Sequence, residues 1–246
     1  MANWSDPRTT AAPFATAASR AEAYDAGLRS YMLSVYNYMA SGVLLTGIVA
    51  LMFSWGGASS PAAAVFMAPG PLKYLIMFSP LAFVMVLSFG ITRLSTGAAQ
   101  AIFWAFAAVM GLSLSSIFFV YTGTSIAQTF FATAAAFAGL SLYGYTTKRD
   151  LSAFGTFLVM GVVGLVVAML INMFIQSSAL QLVISFVGVL LFAGLTAYDT
   201  QRIKSLYFQV AGTDMMGKTV VMGALSLYLD FINMFTFLLQ FMGDRR

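Results

Sequence analysis

Residues 152–175 read SAFGTFLVMGVVGLVVAMLINMFI, an apolar run that contains no charged side chain. A helix needs about 20 such residues to cross the hydrocarbon core of a bilayer. Because the run is continuous rather than alternating, it predicts a membrane-spanning helix and not a strand of a β-barrel. Similar runs lie on both sides of it, at residues 32–53, 74–92, 98–121, 126–146, 179–201 and 222–242.

The connections between these runs carry turn or charge signals, such as Pro69-Gly70-Pro71 and Lys148-Arg149-Asp150. Several are very short, so consecutive helices must be antiparallel neighbours. The predicted fold class is therefore an all-α membrane protein, a bundle of seven transmembrane helices within residues 29–246. Residues 1–28 are small and polar and contain two prolines, which predicts a flexible N-terminal tail with a short amphipathic lead-in.

The composition of the chain excludes several classes of function. Hydrophobic residues make up 60% of the sequence and charged residues 8%, against about 45–50% and 25% in ordinary soluble domains. The absence of cysteine and histidine excludes thiol nucleophiles, Ser-His-Asp triads, zinc sites built on Cys or His, and His-ligated haem. The net charge of +4 comes without a cluster of Lys and Arg, so no nucleic-acid partner and no cofactor are expected.

Basic residues in the loops predict the orientation of the chain in the membrane. With seven crossings, nine Lys and Arg residues fall on the side of the N-terminus and three on the other side. The positive-inside rule then predicts a cytoplasmic N-terminus and an external C-terminus in a cell (inner) membrane. If the last run dips in and returns instead, the bias becomes eleven to one, so loop charge leaves this alternative open.

Two acidic residues fall within apolar runs, Asp199 and Asp230. A charged carboxylate at the centre of a bilayer costs about 3 kcal/mol or more, so each is expected to face the bundle interior and to find a partner or a proton. Asp230 lies eight residues after Met222, about 12 Å into the last span. Asp199 lies near the same end of the sixth span, and Arg93 at that end of the second. The three charges therefore converge in depth.

Two carboxylates in a site with little water do not both ionise easily, so they share a proton and act as a pH switch. Oxygen ligands of this kind also suit calcium, as a bound or a permeant ion. Plainer interpretations stay open. Asp199 could pair with Arg202 or Lys204, Asp230 could make a structural hydrogen bond, and Arg93 could be an ordinary loop charge.

Three stretches of the chain resemble a known family. These are residues 26–32 (AGLRSYM) with 35–39 (VYNYM), residues 198–201 (YDTQ), and residues 223–233 (GALSLYLDFIN). Together they resemble the Bax inhibitor family, also called the transmembrane Bax-inhibitor-motif family, in a bacterial form. The resemblance covers nearly the whole chain from about residue 20.

The resemblance implies a seven-helix bundle in which the other six helices surround the last. It also implies a pH-sensitive calcium leak channel that senses protons through an aspartate pair. The positions that match this pair are Asp199 and Asp230, and Arg93 matches an arginine that acts as a latch. The expected partners are membrane lipids and the calcium ion. The protein is expected to be a monomer or a weak oligomer.

Two other classes of function compete with the channel. The chain could be a non-transporting interaction protein that modulates a membrane protease or a stress or death pathway, with the N-terminal tail as its docking segment. An intramembrane aspartyl protease would need Gly-x-Gly-Asp before its second aspartate, whereas residues 227–230 read LYLD. The chain is therefore not expected to be an enzyme.

Overall fold

The computed structural model describes the backbone of residues 17–246 and the side chains of residue 22 and residues 24–246. Seven helices in this part of the chain are long and apolar enough to cross a membrane, counting α4 and α5 as one span. The fold class predicted from the apolar runs is thereby confirmed. The helices are α1 (Ala17–Ser54), α2 (Pro61–Phe66), α3 (Leu72–Gly90), α4 (Thr96–Leu114), α5 (Ile117–Val120), α6 (Gly123–Thr146), α7 (Ser152–Ile175), α8 (Ser178–Val210) and α9 (Met215–Met242).

The starts of several helices follow from hydroxyl residues that cap them. Ser95, Thr122 and Ser177 precede α4, α6 and α8, and each side-chain oxygen accepts a hydrogen bond from the backbone N–H three residues later. Such caps satisfy donors that the first turn of a helix leaves free. The predicted run 152–175 coincides with α7.

The first helix differs from the predicted tail. Residues 1–16 lie outside the described part of the chain, but residues 17–28 belong to α1, so the tail boundary at residue 28 is wrong for them. Packing explains the extension, because Leu28 and Tyr31 are buried and the ring of Tyr31 lies 5.3 Å from that of Tyr207 on α8.

Helices α8 and α9 also extend beyond the apolar runs that predicted them. The run 179–201 becomes a helix to Val210, and the next helix begins at Met215 rather than near residue 222. Ile203 is buried in this extension and lies close to Gly223 on α9. Hydropathy marks the part of a helix that lies in hydrocarbon, whereas packing between α8 and α9 continues past it.

Helix α9 is the centre of the bundle. It packs on α8, α1, α6 and α4, and 72% of its most apolar stretch is buried, against 33% or less in each of the other six spans. The central position of the last helix that the family resemblance implied is therefore confirmed, although α9 packs mainly on four of the other six spans rather than on all six. The helix is continuous from Met215 to Met242, so the last segment does not dip in and return.

The C-terminus is fixed at one end of the bundle. The backbone N–H of Thr122 donates to the carbonyl of Asp244 (3.1 Å), and that of Arg246 donates to the carbonyl of Val120 (2.9 Å). Ser125 Oγ accepts from the N–H of Asp244 at 3.0 Å. The end of the chain therefore lies beside the turn from α5 to α6.

Candidate functional site

Asp230 lies in the middle of the central helix α9 and is 4% exposed. Its neighbours along the helix include Tyr228 and Phe231, which are also buried. Within the described part of the chain, its Oδ2 atom has no hydrogen-bond partner. A buried carboxylate oxygen without a partner is costly, so this atom marks a place where the packing leaves a polar group unsatisfied.

Asp199 lies on α8 and is half-buried. Helices α8 and α9 pack along each other, and the charge of Asp199 reaches Asp230 on the neighbouring helix. The opposite charge that acts on Asp199 is that of Arg202, one turn along the same helix. The two aspartates therefore lie on adjacent, packed helices within electrostatic range of each other, which depth along the sequence could not establish.

The structure does not bring Arg93 to the aspartates. Helix α3 ends at Gly90, and Arg93 lies in the following turn with an exposed side chain. Its backbone N–H donates to the carbonyl of Gly90 at 2.9 Å. The charges that act on the pair are their own and that of Arg202. An exposed arginine in a turn fits an ordinary loop charge, and the role of Arg93 as a latch stays a prediction.

A chain of hydroxyl groups crosses the bundle beside Asp199. Thr200 Oγ1 donates to the carbonyl of Thr196 at 2.8 Å, so its oxygen must accept from Ser141 Oγ at 2.9 Å. Ser141 must then accept from the hydroxyl of Tyr36 at 2.6 Å. Each hydroxyl has one proton to donate, so the chain runs in one direction from α1 through α6 to α8.

Close backbone packing sets the position of α8 next to this chain. A Cβ at Gly144 of α6 would lie 2.2 Å from the carbonyl oxygen of Ala197. A Cβ at Gly155 of α7 would overlap the ring of Tyr198. Glycine at these two positions lets α6 and α7 approach the turn of α8 that carries Asp199.

Two polar side chains of α8 hold the loop between α6 and α7. Gln201 Oε1 accepts from the N–H of Leu151 at 2.9 Å, and its Nε2 donates to the carbonyl of Arg149 at 2.8 Å. Lys204 Nζ donates to the carbonyl of Tyr145 at 2.8 Å and lies 4.8 Å from the centre of its ring. Lys204 is thus engaged with Tyr145, which leaves Arg202 as the cation acting on Asp199.

Three amide side chains form a second polar group, the amide cluster, near the C-terminal end of α9. Asn172 Nδ2 donates to Gln181 Oε1 at 3.0 Å, and Gln181 Nε2 donates to Gln240 Oε1 at 2.9 Å. Asn172 Oδ1 also accepts from the N–H of Ser177 at 3.0 Å. Sequence reasoning missed this cluster, although amides inside three apolar runs were the signal that could have found it.

A calcium site at the two aspartates would need further oxygen ligands, and the possible calcium site stays a prediction. Within the described residues, no group of three or more Asp or Glu side chains could hold a metal ion. Calcium takes six to eight oxygen ligands, so Asp199 and Asp230 alone supply too few. What the pair can do is attract a passing cation when ionised and hold a proton when neutral.

Comparison with known proteins places this arrangement in a family. The family described as "Inhibitor of apoptosis-promoting Bax1" matches residues 28–246. The chain is 46% identical over 224 residues to "Inner membrane protein YbhL" of Escherichia coli, covering 90% of this chain and 94% of that protein. It is 45% identical over 232 residues to an "Uncharacterized protein" of Rickettsia prowazekii, covering 94% and 96%. The chain belongs to the Bax inhibitor family of membrane proteins.

Proposed function

We propose that this protein is a passive cation leak, with calcium among its permeant ions, that is gated by a proton shared between Asp199 and Asp230. The observation that carries the proposal is the buried carboxylate of Asp230, whose Oδ2 lacks a partner among the described residues beside a second carboxylate. The activity is transport and requires no bond chemistry.

The physical reason for gating is that the site accommodates its charge in only two ways. A proton on the pair removes one negative charge and allows the two carboxyl groups to remain packed together. Loss of that proton leaves two like charges in a region of low dielectric, where their repulsion is strong. The pair then needs water or a cation, and a divalent cation neutralises it most completely.

The position of the pair supports coupling between this proton and the whole bundle. Asp230 is on the central helix, which packs against α8, α1, α6 and α4. A shift of α9 relative to α8 therefore changes several helix contacts at once. Closely packed interfaces respond to such a shift by repacking between discrete arrangements.

We further propose that the N-terminus is cytoplasmic and the C-terminus external. An odd number of crossings leaves the two termini on opposite sides of a membrane, and the seven candidate spans support this arrangement. Nine of the twelve basic residues then lie on the side of the N-terminus. The similarity to an inner membrane protein of Escherichia coli supports a location in the inner membrane.

The test uses the full chain in liposomes that contain a calcium-sensitive dye. The wild-type leak is expected to change with pH, and both Asp199→Asn and Asp230→Asn are expected to abolish this pH response. Asp214→Asn is the matched control, because Asp214 is an exposed acid in the loop between α8 and α9. Unchanged flux and pH response in both pair variants would overturn the proposal.

A further inference from the structure

A crevice of about 860 Å³ lies between α1 and α6. Both helices pack on α9, but they make little contact with each other. The small residues Ala40, Ala134 and Ala138 line its walls. Their short side chains leave the space between the two helices unfilled.

Aromatic side chains form the floor of this crevice. Phe231 of α9 lies between Phe130 and Phe137 of α6, with ring centroids 5.5 and 5.6 Å apart. Leu33, Leu44 and Leu142 border the crevice and are 50%, 64% and 63% exposed. The opening therefore faces sideways, toward the lipid that surrounds a bundle of this kind.

The crevice is long enough to hold a lipid acyl chain. Along α1 it runs from Arg29 to Leu44, a distance of about 22 Å at 1.5 Å per residue. One leaflet of the hydrocarbon core is about 15 Å thick. A second cavity of about 280 Å³ shares Val43, Phe130 and Phe231 with the first and continues toward the other end of the bundle.

The shape of the crevice suits acyl chains. It holds about 860 Å³ along about 22 Å of helix α1, so it is an elongated groove. Extended acyl chains are thin and flexible and fit such a groove.

One end of the crevice is cationic. The exposed Arg29 lines this end, and Tyr145, which also lines it, carries the ammonium group of Lys204 near its ring. Asp25, one turn before Arg29, is exposed and is not among the lining residues. The remaining lining is mainly apolar, so the crevice has a positively charged end and an apolar groove.

We propose that the crevice between α1 and α6 is a binding site for one anionic phospholipid. Its acyl chains lie between Ala40 and Ala138, over the aromatic floor, and its phosphate lies at Arg29. This charge complementarity distinguishes an anionic lipid from a neutral one, since a basic side chain near a membrane surface attracts acidic headgroups. The crevice borders the hydroxyl chain, since Tyr36 and Ser141 line it, but neither aspartate is among its lining residues. The proposal does not depend on the proposed leak.

The test is native mass spectrometry of the full chain after exchange into equal amounts of phosphatidylglycerol and phosphatidylcholine. The wild type is expected to retain one phosphatidylglycerol in preference to phosphatidylcholine. Arg29→Gln is expected to reduce this preference about fivefold, as one Arg contributes about 1 kcal/mol. Arg149→Gln is the control, because Arg149 is an exposed basic residue in the loop between α6 and α7, away from the crevice.

A second variant tests the groove itself. Ala138→Phe fills the crevice and is expected to remove the retained lipid of either class. Ala135→Phe places the same ring on an exposed position of α6 outside the lining, so it should retain the lipid. A melting temperature for each variant identifies failure to fold. Equal retention of the two lipids by the wild type, or an unchanged preference in folded Arg29→Gln, would overturn the proposal.

Discussion

The aspartate pair and the amide cluster are two polar groups in one apolar bundle, and they are built in opposite ways. In the amide cluster, Asn172, Gln181 and Gln240 are joined by hydrogen bonds of 3.0 and 2.9 Å. In the aspartate pair, Asp230 Oδ2 has no partner in the described part of the chain, and the neighbouring carboxylate repels its charge.

The difference shows that one polar group stabilises the packing of the helices, whereas the other can change its charge with pH. Neutral amides carry no charge that depends on pH, and paired amides fix the helices that bear them. A carboxylate changes its charge with its proton, and its packing must change with it. The amide cluster near the C-terminal end of α9 is therefore expected to keep its hydrogen bonds when a change of pH alters the charge of the aspartate pair.

The largest effect is expected at the contact of α6 and α8 beside the pair. In Gly144→Ala, the added methyl group meets the backbone carbonyl of Ala197, which should cost about 3 kcal/mol or more of unfolding free energy by overpacking. Gly139→Ala is the control on the same helix, since no atom lies within 4 Å of its added Cβ. Thermal unfolding in detergent measures both. Equal melting temperatures of the two variants would contradict the close approach of α6 and α8 at Gly144.

The next effect contrasts the two polar groups directly. Gln240→Leu leaves Gln181 Nε2 without its acceptor and should lower the unfolding free energy by about 1–3 kcal/mol. Asp230→Asn removes a carboxylate oxygen that had no partner, so it should not destabilise the protein. Melting temperatures at neutral pH check both. A larger loss in Asp230→Asn than in Gln240→Leu would reverse the comparison.

A smaller effect is expected from the hydroxyl chain. Tyr36→Phe removes the first donor of the chain, a half-buried hydroxyl bonded to Ser141, and should cost about 1 kcal/mol. Tyr74→Phe is a suitable control, because Tyr74 lies on α3 and is 55% exposed. Unfolding in detergent compares the two variants. An equal loss of unfolding free energy in both would show that the hydroxyl chain does not stabilise α8.

The smallest effect concerns Asp150, which is fully exposed in the loop before α7. Hydrogen bonds from Ser152 lower the pKa of Asp150 below its usual value. The stabilisation is therefore present at pH values above about 4 and is lost as the pH falls through the lowered pKa. Asp150→Ala should melt slightly earlier than the wild type at pH 7 and level with it at strongly acidic pH. A difference in melting temperature that persists at strongly acidic pH would contradict this origin of the stabilisation.

The helices whose bounds follow from hydropathy could be predicted from the sequence. The run 152–175 gave the bounds of α7, because that helix ends where the chain leaves the hydrocarbon. The extension of α8 to Val210 was missed, because aromatic packing at Tyr207, outside the apolar run, stabilises it. Residues 17–28 were assigned to a tail for the same reason.

The candidate site was predicted in part. A lone acid inside the apolar last run identified Asp230, and counting residues placed Asp199 at a similar depth. Counting along a helix gives depth and not lateral position, so it grouped Arg93 with them although the turn after Gly90 carries Arg93 away. The hydroxyl chain through Ser141 and Thr200 was missed because isolated hydroxyl residues in apolar runs give no pattern.

The most direct test of the shared proton is infrared difference spectroscopy of the full chain in lipid, recorded as the pH is changed. The carbonyl stretch of a protonated carboxylic acid reports the proton itself. We expect a band that appears and disappears with pH in the wild type, is lost in both Asp230→Asn and Asp199→Asn, and remains in Asp214→Asn. A band that persists unchanged in both pair variants would contradict a proton held between Asp199 and Asp230.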